Sequence, residues 1–232
     1  MSSLWHQKLT TVGDIVVVYI DLSNNEIWEN QAFHLLDKSE QTRVHRFRDR
    51  SARREFTLCR AALRYHLCKM NDCKSKELRI ISHNNEKPVA YINGSKIRYE
   101  FNLSHTTGHG LLALAPTRRL GIDVEHRNLQ VDIDGPISET FAESEKQALS
   151  QLETQDKVDV FLRIWTAKEA LIKATGEGFR ADTTSFSIPD EFFRGSCNKF
   201  SPFRLPHYHE FEWTILNLSS TSYVATLVYE VA

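Results

Sequence analysis

The sequence lacks several features that would point to particular classes of protein. Its formal net charge is only −1, from 29 basic and 30 acidic residues, so no global charge excess directs it to nucleic acid or to an acidic membrane surface. Any phosphate binding must therefore come from a local cluster of basic side chains. No apolar run approaches the roughly 20 residues that span a bilayer, and we expect no membrane association.

Cysteine is also scarce. The four cysteines, Cys59, Cys68, Cys73 and Cys197, include no C-x-x-C pair, the spacing typical of zinc and redox motifs. We therefore expect reduced thiols, as in cytosolic proteins. The first apolar run, 15–20, comes late and lacks a basic leader, unlike a secretory signal peptide. The expected location is the cytoplasm.

The 232 residues otherwise have an ordinary globular composition, 41% hydrophobic and 25% charged, sufficient to bury a core. The β-branched run 15–20 predicts a buried strand. Residues 39–70 predict one long helix, with an apolar face formed by Phe56, Cys59, Leu63 and Leu67. Further helices are predicted at 138–152 and 156–174, the latter ending at Gly176.

Short strands alternate with these helices. They are predicted at 78–81, 100–103, 111–115, 120–125, 211–218 and 223–231, with a hairpin whose tip is Asn93-Gly94. This alternation, with more than one hairpin, indicates an α+β architecture rather than a doubly wound parallel sheet.

Two acids share one face of the predicted strand 120–125. Because strand side chains alternate, Ile122 and Val124 point into a core while Asp123 and Glu125 point together to the other side. Two neighbouring carboxylates repel unless a cation or proton lies between them, and Mg²⁺ prefers such oxygen ligands. The alternative is a solvated strand face, which is common in antiparallel sheets.

The helix 156–174 offers a third carboxylate. Glu169 and Lys173 lie one turn apart on the same face. They form either a surface ion pair of little energy or part of a metal site, in which Lys168 and Lys173 neutralise phosphate oxygens.

Eight arginines but only two acids occur between residues 43 and 64. On a single helix, one narrow stripe would contain Arg46, Arg50, Arg53, Arg60 and Arg64. Guanidinium groups at a core edge suit phosphate binding; the alternative is a basic solvated face.

The segment 102–108 follows a predicted strand and is predicted to be a loop, rich in small polar residues that can hydrogen-bond phosphate. Ser104 and His105 do not suggest a nucleophile and its base. Adjacent residues point apart on an extended chain, and no G-x-S-x-G motif surrounds them.

Taken together, these segments resemble the 4′-phosphopantetheinyl transferase superfamily, in particular its larger, broad-specificity bacterial members. The resemblance depends on the order of six blocks: R-R-E-F-T-L-C-R-A-A-L-R (53–64), K-P (87–88), F-N-L-S-H (101–105), G-I-D-V-E (121–125), F-A-E-S-E (141–145) and W-T-A-K-E-A-L-I-K-A (165–174). The family often has glycine before the Lys-Pro pair, where this chain has Glu86.

The resemblance implies two similar α+β subdomains related by pseudo-twofold symmetry, here 1–115 and 116–232, with coenzyme A in the cleft between them. It implies Mg²⁺ ligands at Asp123, Glu125 and Glu169 and nucleotide-phosphate contacts from Arg53, Lys87, His105 and Lys173. Ser104 and Lys168 are further candidates for binding coenzyme A, while Glu145 matches an acidic family position with no role assigned here.

The implied reaction moves phosphopantetheine from coenzyme A to a serine of an apo carrier protein in fatty-acid, polyketide or non-ribosomal peptide synthesis. Glu169 is the candidate general base, with Lys173 beside it. A monomer would be sufficient, since the cleft lies within one chain. Two alternatives remain open: a Mg²⁺-dependent hydrolase of nucleotides or coenzyme A, and a non-catalytic module that binds coenzyme A or a carrier protein.

Overall fold

A computed structural model describes residues 5–82, 87–127, 135, 139–176, 178, 182–206 and 210–231. Glu86 and the predicted helix start at 138 lie outside these residues. Within the described ranges, every helix is too short or too polar to cross a membrane.

Among the described residues, the first half of the chain combines three α-helices with seven strands. The strands are β1 (His6–Val12), β2 (Ile15–Asp21), β3 (Leu78–Ile81), β4 (Val89–Ile92), β5 (Ser95–Lys96), β6 (Glu100–Thr106) and β7 (His109–Ala115), and the helices are α1 (Glu26–Leu35), α2 (Lys38–Arg46) and α3 (Arg50–Asn71). The predicted hairpin is confirmed: Asn93 and Gly94 join β4 to β5, both with positive φ (50° and 84°), as a type I′ turn requires.

In the described part of the second half, the chain forms four strands and three α-helices. They are β8 (Leu120–His126), α4 (Glu143–Ser150), α5 (Thr154–Thr175), α6 (Asp190–Phe193), β9 (Lys199–Phe203), β10 (Trp213–Asn217) and β11 (Tyr223–Glu230). The predicted end of α5 is confirmed, since Gly176 adopts a left-handed conformation and its N–H closes the last turn on Ile172.

The prediction of a single helix over 39–70 is wrong, because the chain forms α2 and α3 separately. The Asp37 carboxylate accepts the backbone N–H groups of Ser39 and Glu40 at the start of α2, and the Asp49 carboxylate accepts the N–H of Ala52 at the start of α3. Each acid satisfies donors that a continuous helix would bond internally. Arg46 therefore lies on a different helix from Arg50, and the continuous arginine stripe does not form.

Two four-stranded antiparallel sheets divide the chain, with strand orders β1-β2-β7-β6 and β8-β11-β10-β9. A helix of 22 residues covers each sheet, α3 on the first and α5 on the second. The two halves are thus similar in build, and the α+β prediction is confirmed. A small third sheet, β3-β4-β5, flanks the first half.

The two large sheets pack face to face. Their inner faces share one core, formed by Ile15, Val17, Leu111 and Ala113 of the first sheet and Ile122, Val124, Ala225 and Leu227 of the second. The outer faces pack on the helices in two further cores. The molecule is therefore layered as helices, sheet, sheet and helices, and alternate residues of each inner strand face opposite layers.

The edge strands β6 and β8 meet at the seam between the sheets. They belong to different sheets and are not paired by backbone hydrogen bonds. Side chains of β6 instead accept backbone N–H groups of β8. Asn102 Oδ1 accepts the backbone N–H of Ile122 at 2.8 Å, and Thr106 Oγ1 accepts that of His126 at 3.4 Å. This seam aligns Ser104 with Asp123 and Thr106 with Glu125.

Candidate active site

The helix α5 lies unusually close to the strand β8 at Gly121. A β carbon on Gly121 would lie 2.1 Å from the carbonyl oxygen of Ala170 and 2.6 Å from the nitrogen of Ala174. Only glycine allows this approach. It brings the acids of β8 against the face of α5 that carries Glu169 and Lys173.

Asp123 is buried at the centre of this contact. Its Oδ1 accepts hydrogen bonds from Lys173 Nζ at 2.6 Å and from Ser104 Oγ at 2.8 Å. Its Oδ2 is also buried but has no hydrogen-bond partner among the described residues. A buried carboxylate oxygen without a donor is costly, and a cation would satisfy it.

Glu125 lies one strand repeat further along β8. Trp165 Nε1 donates to its Oε1 at 3.2 Å, and Thr106 Oγ1 donates to its Oε2 at 3.3 Å. Burial and the nearby Asp123 charge raise the pKa of Glu125, while these two hydrogen bonds and Lys173 oppose the rise. The site therefore accumulates negative charge in partly buried surroundings.

Glu169 completes the acidic group from the side of α5. Burial raises the pKa of Glu169; the Lys173 ammonium opposes this rise and the Asp123 carboxylate adds to it. We refer to Asp123, Glu125 and Glu169 as the acidic triad. Within the described ranges, no three His, Cys, Asp or Glu side chains converge closely enough to enclose a metal ion.

The donor set nevertheless fits Mg²⁺. This ion usually takes one or two protein carboxylates and fills its remaining positions with water and substrate phosphate oxygens. The unpartnered Asp123 Oδ2 supplies one such ligand, and the mutual repulsion of the triad is relieved by a divalent cation. The residues that would hold the ion are those of the acidic triad.

Lys168 lies elsewhere, although it is adjacent to Glu169 in the sequence. Its ammonium is buried, 3.0 Å from Glu145 Oε2, and donates to the carbonyl oxygens of Thr183 and Phe186. Burial lowers the pKa of Lys168, and Glu145 opposes this. Its donors are thus already engaged inside the second half, which argues against the predicted phosphate contact.

Glu145, which had no assigned role, is the partner that holds this region together. Its Oε2 accepts the backbone N–H of Ala142 and its Oε1 accepts that of Ile188, at 2.7 and 2.8 Å. The carboxylate therefore links the start of α4, the helix α5 and the segment before α6. Its role in the structure is to satisfy buried donors.

His105 points to the opposite side of β6 from Ser104. It lines a cleft of about 490 Å³ whose other lining residues are Arg43, Phe56, Cys59, Arg60, Leu63, Ser82, Pro88, Phe101, Asn102 and Leu103. His105 Nδ1 lies 3.7 Å from Glu55. The buried Nη1 of Arg60 has no hydrogen-bond partner in the described part of the chain. The cleft thus joins aromatic walls to basic groups suited to an anionic aromatic ligand.

The remaining basic candidates are dispersed. Arg53 lines a separate depression together with Glu26 and Glu29. Arg64 is buried and paired with Glu40 and Asp37, so both predictions for the arginine stripe, phosphate binding at the core edge and a solvated face, are wrong for this arginine. Lys87 Nζ lies 3.2 Å from Glu100 and donates to the carbonyl oxygen of Leu120 at 3.0 Å, at the beginning of the seam. Burial lowers the pKa of Lys87.

Sequence reasoning missed several residues of the site: Arg43, Asn102, Thr106 and Trp165. Trp165 stands one helical turn before Glu169, so its spacing could have indicated it. The prediction of a loop over 102–108 is wrong, because the chain is extended in β6 as far as Thr106. Asn102, Ser104 and Thr106 occupy every second position of this strand, so period two could have placed them on one face. That this face meets β8 depends on the packing of two sheets, which neither pattern encodes.

The structure thus combines two similar α+β halves, an acidic triad at their seam and a basic cleft beside it, which together form a candidate site for a phosphate-bearing ligand. Comparison with known proteins gives the same picture. The model of the 4′-phosphopantetheinyl transferase superfamily matches residues 119–228. The model of the 4′-phosphopantetheinyl transferase N-terminal region matches residues 23–117.

Individual relatives agree. The 4′-phosphopantetheinyl transferase HetI of Nostoc sp. is 31% identical over 172 residues, covering 74% of this chain and 73% of that protein. The protein slr0495 of Synechocystis sp., whose name provisionally assigns the same activity, is 31% identical over 162 residues, covering 68% of this chain and 63% of its own length. Sfp of Bacillus subtilis is 28% identical over 89 residues.

The chain belongs to the 4′-phosphopantetheinyl transferase superfamily. The first of these alignments spans nearly three quarters of each sequence, and the two family models follow one another along the chain. The matched segment spans just under two thirds of the Synechocystis protein.

Proposed function

We propose that this protein transfers the 4′-phosphopantetheine group of coenzyme A to a serine hydroxyl of an apo carrier protein, as a holo-carrier-protein synthase. The observation that supports this most is the acidic triad at the seam, with the buried Asp123 Oδ2 unpartnered among the described residues. A bound Mg²⁺ held by the triad would neutralise charge on the pyrophosphate of coenzyme A and on the phosphoryl group in transfer.

The proposed reaction is a phosphoryl-type transfer. The serine oxygen forms a bond to the β-phosphorus of coenzyme A, the bond to the bridging oxygen breaks, and adenosine 3′,5′-bisphosphate leaves. Glu169 accepts the serine proton, directly or through water.

Lys173 is proposed to contact the phosphate oxygens. Its ammonium already lies at the acidic triad, 2.6 Å from Asp123 and 3.2 Å from Ser104, and three N–H donors allow it to serve a phosphate as well. Ser104, which is hydrogen-bonded to both Asp123 and Lys173, is proposed to orient these two side chains. Preorganised donors of this kind stabilise charge that develops during transfer.

The cleft that contains His105 is proposed to take the nucleotide end of coenzyme A. Arg43 and Arg60 flank the Phe56 ring there, with guanidinium carbons 4.7 and 5.6 Å from its centre. Lys87 is also proposed to contact a phosphate. The phosphate would then replace the partly exposed carboxylate of Glu100 as the partner of the Lys87 ammonium. We leave Arg53 and Lys168 out, since Arg53 lines another depression and Lys168 is engaged internally.

The two functional halves are proposed as 1–115 and 116–232, joined by the segment between β7 and β8. The strand β6 contributes side chains both to the seam and to the wall of the cleft, so one chain supplies the whole site. We therefore propose that the protein acts as a monomer, and that it does so in the cytoplasm. Its partners are proposed to be coenzyme A and the apo carrier proteins of fatty-acid, polyketide or non-ribosomal peptide synthesis.

The test is intact-protein mass spectrometry of apo carrier proteins incubated with the protein, coenzyme A and Mg²⁺. We expect one carrier to gain a single phosphopantetheine, and the gain to disappear when EDTA removes the metal. Consumption of coenzyme A without any modified carrier would indicate a hydrolase instead. Binding of coenzyme A without either change would indicate a non-catalytic module.

A further inference from the structure

The carboxylate of Glu125 is held from two sides by groups that do not belong to the acidic triad. The indole Nε1 of Trp165 on α5 donates to Oε1 at 3.2 Å, and the hydroxyl of Thr106 on β6 donates to Oε2 at 3.3 Å. One donor comes from each half of the molecule. The orientation of Glu125 therefore depends on both halves being in place.

The direction of the Thr106 hydrogen bond is set by the carboxylate. An ionised carboxylate can only accept, so the Thr106 hydroxyl donates its proton to Glu125, and its oxygen accepts the N–H of His126 at 3.4 Å. The indole N–H can only donate. Both hydrogen bonds are long for their type and therefore weak. Their main effect is to restrict rotation of the Glu125 carboxylate.

This restriction matters because a glutamate side chain is otherwise poorly fixed. Its terminal torsion is broad and roughly two-fold, and fixing a glutamate rotamer costs conformational entropy. Two donors placed by a helix and a strand reduce that cost before any cation arrives. Asp123 is held in a comparable way by Ser104 and Lys173.

We infer that Trp165 and Thr106 are positioning residues that set the affinity of the site for a divalent cation by fixing the carboxylate of Glu125. The inference rests on the proposed function, in which Glu125 is a metal ligand. Partners that orient metal ligands typically change metal affinity by about 10- to 100-fold when removed. The effect acts through Glu125, since neither residue offers a carboxylate to the ion.

The variants Thr106→Val and Thr106→Ser separate orientation from shape. Valine keeps the size of threonine but removes the hydroxyl, whereas serine keeps the hydroxyl. Trp165→Phe removes the indole N–H and retains an aromatic ring. Because Trp165 packs against the core of the second half, its variant could lose stability, and the Thr106 pair then decides the question alone.

The experiment measures Mn²⁺ binding by electron paramagnetic resonance of the free ion, with coenzyme A present and no carrier protein, so that no turnover occurs. We expect Thr106→Val and Trp165→Phe to bind Mn²⁺ about 10-fold more weakly than the parent chain, and Thr106→Ser to bind within about 3-fold. Transfer rates should then recover at saturating Mn²⁺, giving a change in metal dependence rather than in kcat.

The outcomes distinguish this inference from the function on which it rests. If the parent chain binds Mn²⁺ and folded Thr106→Val binds it equally well, the positioning role is wrong and the metal site stands. If Thr106→Ser is weakened as much as Thr106→Val, packing rather than hydrogen bonding is responsible, which also overturns the inference. If the parent chain binds no Mn²⁺ with coenzyme A, the metal site itself fails, and the inference with it.

Discussion

The ammonium of Lys168 lies 3.0 Å from the carboxylate of Glu145, and the two side chains are only 1% and 0% exposed. Its neighbour on the helix, Glu169, instead lies near Asp123 and Lys173. Two consecutive residues of one motif thus serve different purposes, since adjacent positions on a helix are about 100° apart. Lys168 fixes α5 against α4 and the segment before α6, and Glu169 faces β8.

The first prediction concerns this buried pair. Lys168→Met or Glu145→Gln alone should lower the free energy of unfolding by about 3–5 kcal/mol, because each leaves a buried charge without its partner. The double variant should lose less than the sum of the two. Urea denaturation of all four proteins measures this coupling, and strictly additive losses would contradict the pairing.

Lys173 should affect transfer more than stability. Lys173→Met leaves the buried Asp123 carboxylate without its ammonium, so we expect a loss of stability of about 1.5–3 kcal/mol, together with a fall in transfer rate of at least about 10²-fold. Comparison of denaturation midpoints and rates with those of Lys168→Met checks the contrast. A rate close to that of the parent chain would exclude Lys173 from the reaction.

The acidic triad should be indispensable for transfer. Asp123→Asn and Glu169→Gln preserve side-chain size but remove the charge, and each should lower the rate by about 10²- to 10⁴-fold even at saturating Mg²⁺. The exposed residue Glu191 on α6 offers a matched control, since Glu191→Gln should retain the parent rate. Near-normal turnover of either triad variant would show that the metal site is assigned wrongly.

The close approach at Gly121 gives a purely steric prediction. In Gly121→Ala the added methyl group would overlap the Ala170 carbonyl, so α5 must move away from β8, at a cost of about 1–3 kcal/mol or more. Gly110→Ala is the comparison, because its β carbon would meet side-chain atoms no closer than 3.2 Å. Denaturation should show the larger loss for Gly121→Ala, together with loss of transfer; equal losses would contradict the steric explanation.

Stability should decline in mild acid because of two histidines remote from the site. Burial lowers the pKa values of His6 and His66 to about 4, and for His66 the neighbouring His6 and Lys69 add to this. The distance between His6 Nδ1 and His66 Nε2 is 3.2 Å. Between the unfolded pKa of 6.5 and about 4, the unfolded chain binds more protons than the folded one, so stability falls as pH falls.

Thermal unfolding midpoints at pH 7, 6 and 5 check this pH dependence. His66→Gln should flatten the decline, since one of the two titrating groups is removed. The exposed His34 serves as control, and His34→Gln should leave the slope unchanged. An unaltered slope in His66→Gln would mean that other groups cause the acid sensitivity.

The sequence predicted the strands best where their pattern was strongest. The β-branched run before residue 21 became β2, and the Asn93-Gly94 turn became a hairpin, because both signals are local. The strands β1 and β9 and the helix α1 were not predicted. The polar alternation of β1 is weak, with mostly exposed residues, and its place is fixed by pairing with β2.

The candidate site was predicted in part. The sequence placed Asp123 and Glu125 on one face of a strand and Glu169 and Lys173 on one face of a helix, since periods of 2 and 3.6 residues follow from backbone geometry alone. It could not show that these two faces meet, because their contact depends on how α5 packs on β8 over Gly121.

By itself, then, the sequence determined the α+β class and the family to which the chain belongs, since these depend on local periodicity and on the order of its motifs. Only the tertiary structure decided that Lys168 turns inward to Glu145, that Lys173 turns to Asp123, and that Trp165 and Thr106 hold Glu125. These partners are 19 to 50 residues apart in the chain. Separations of this size are closed by packing, which no local pattern records.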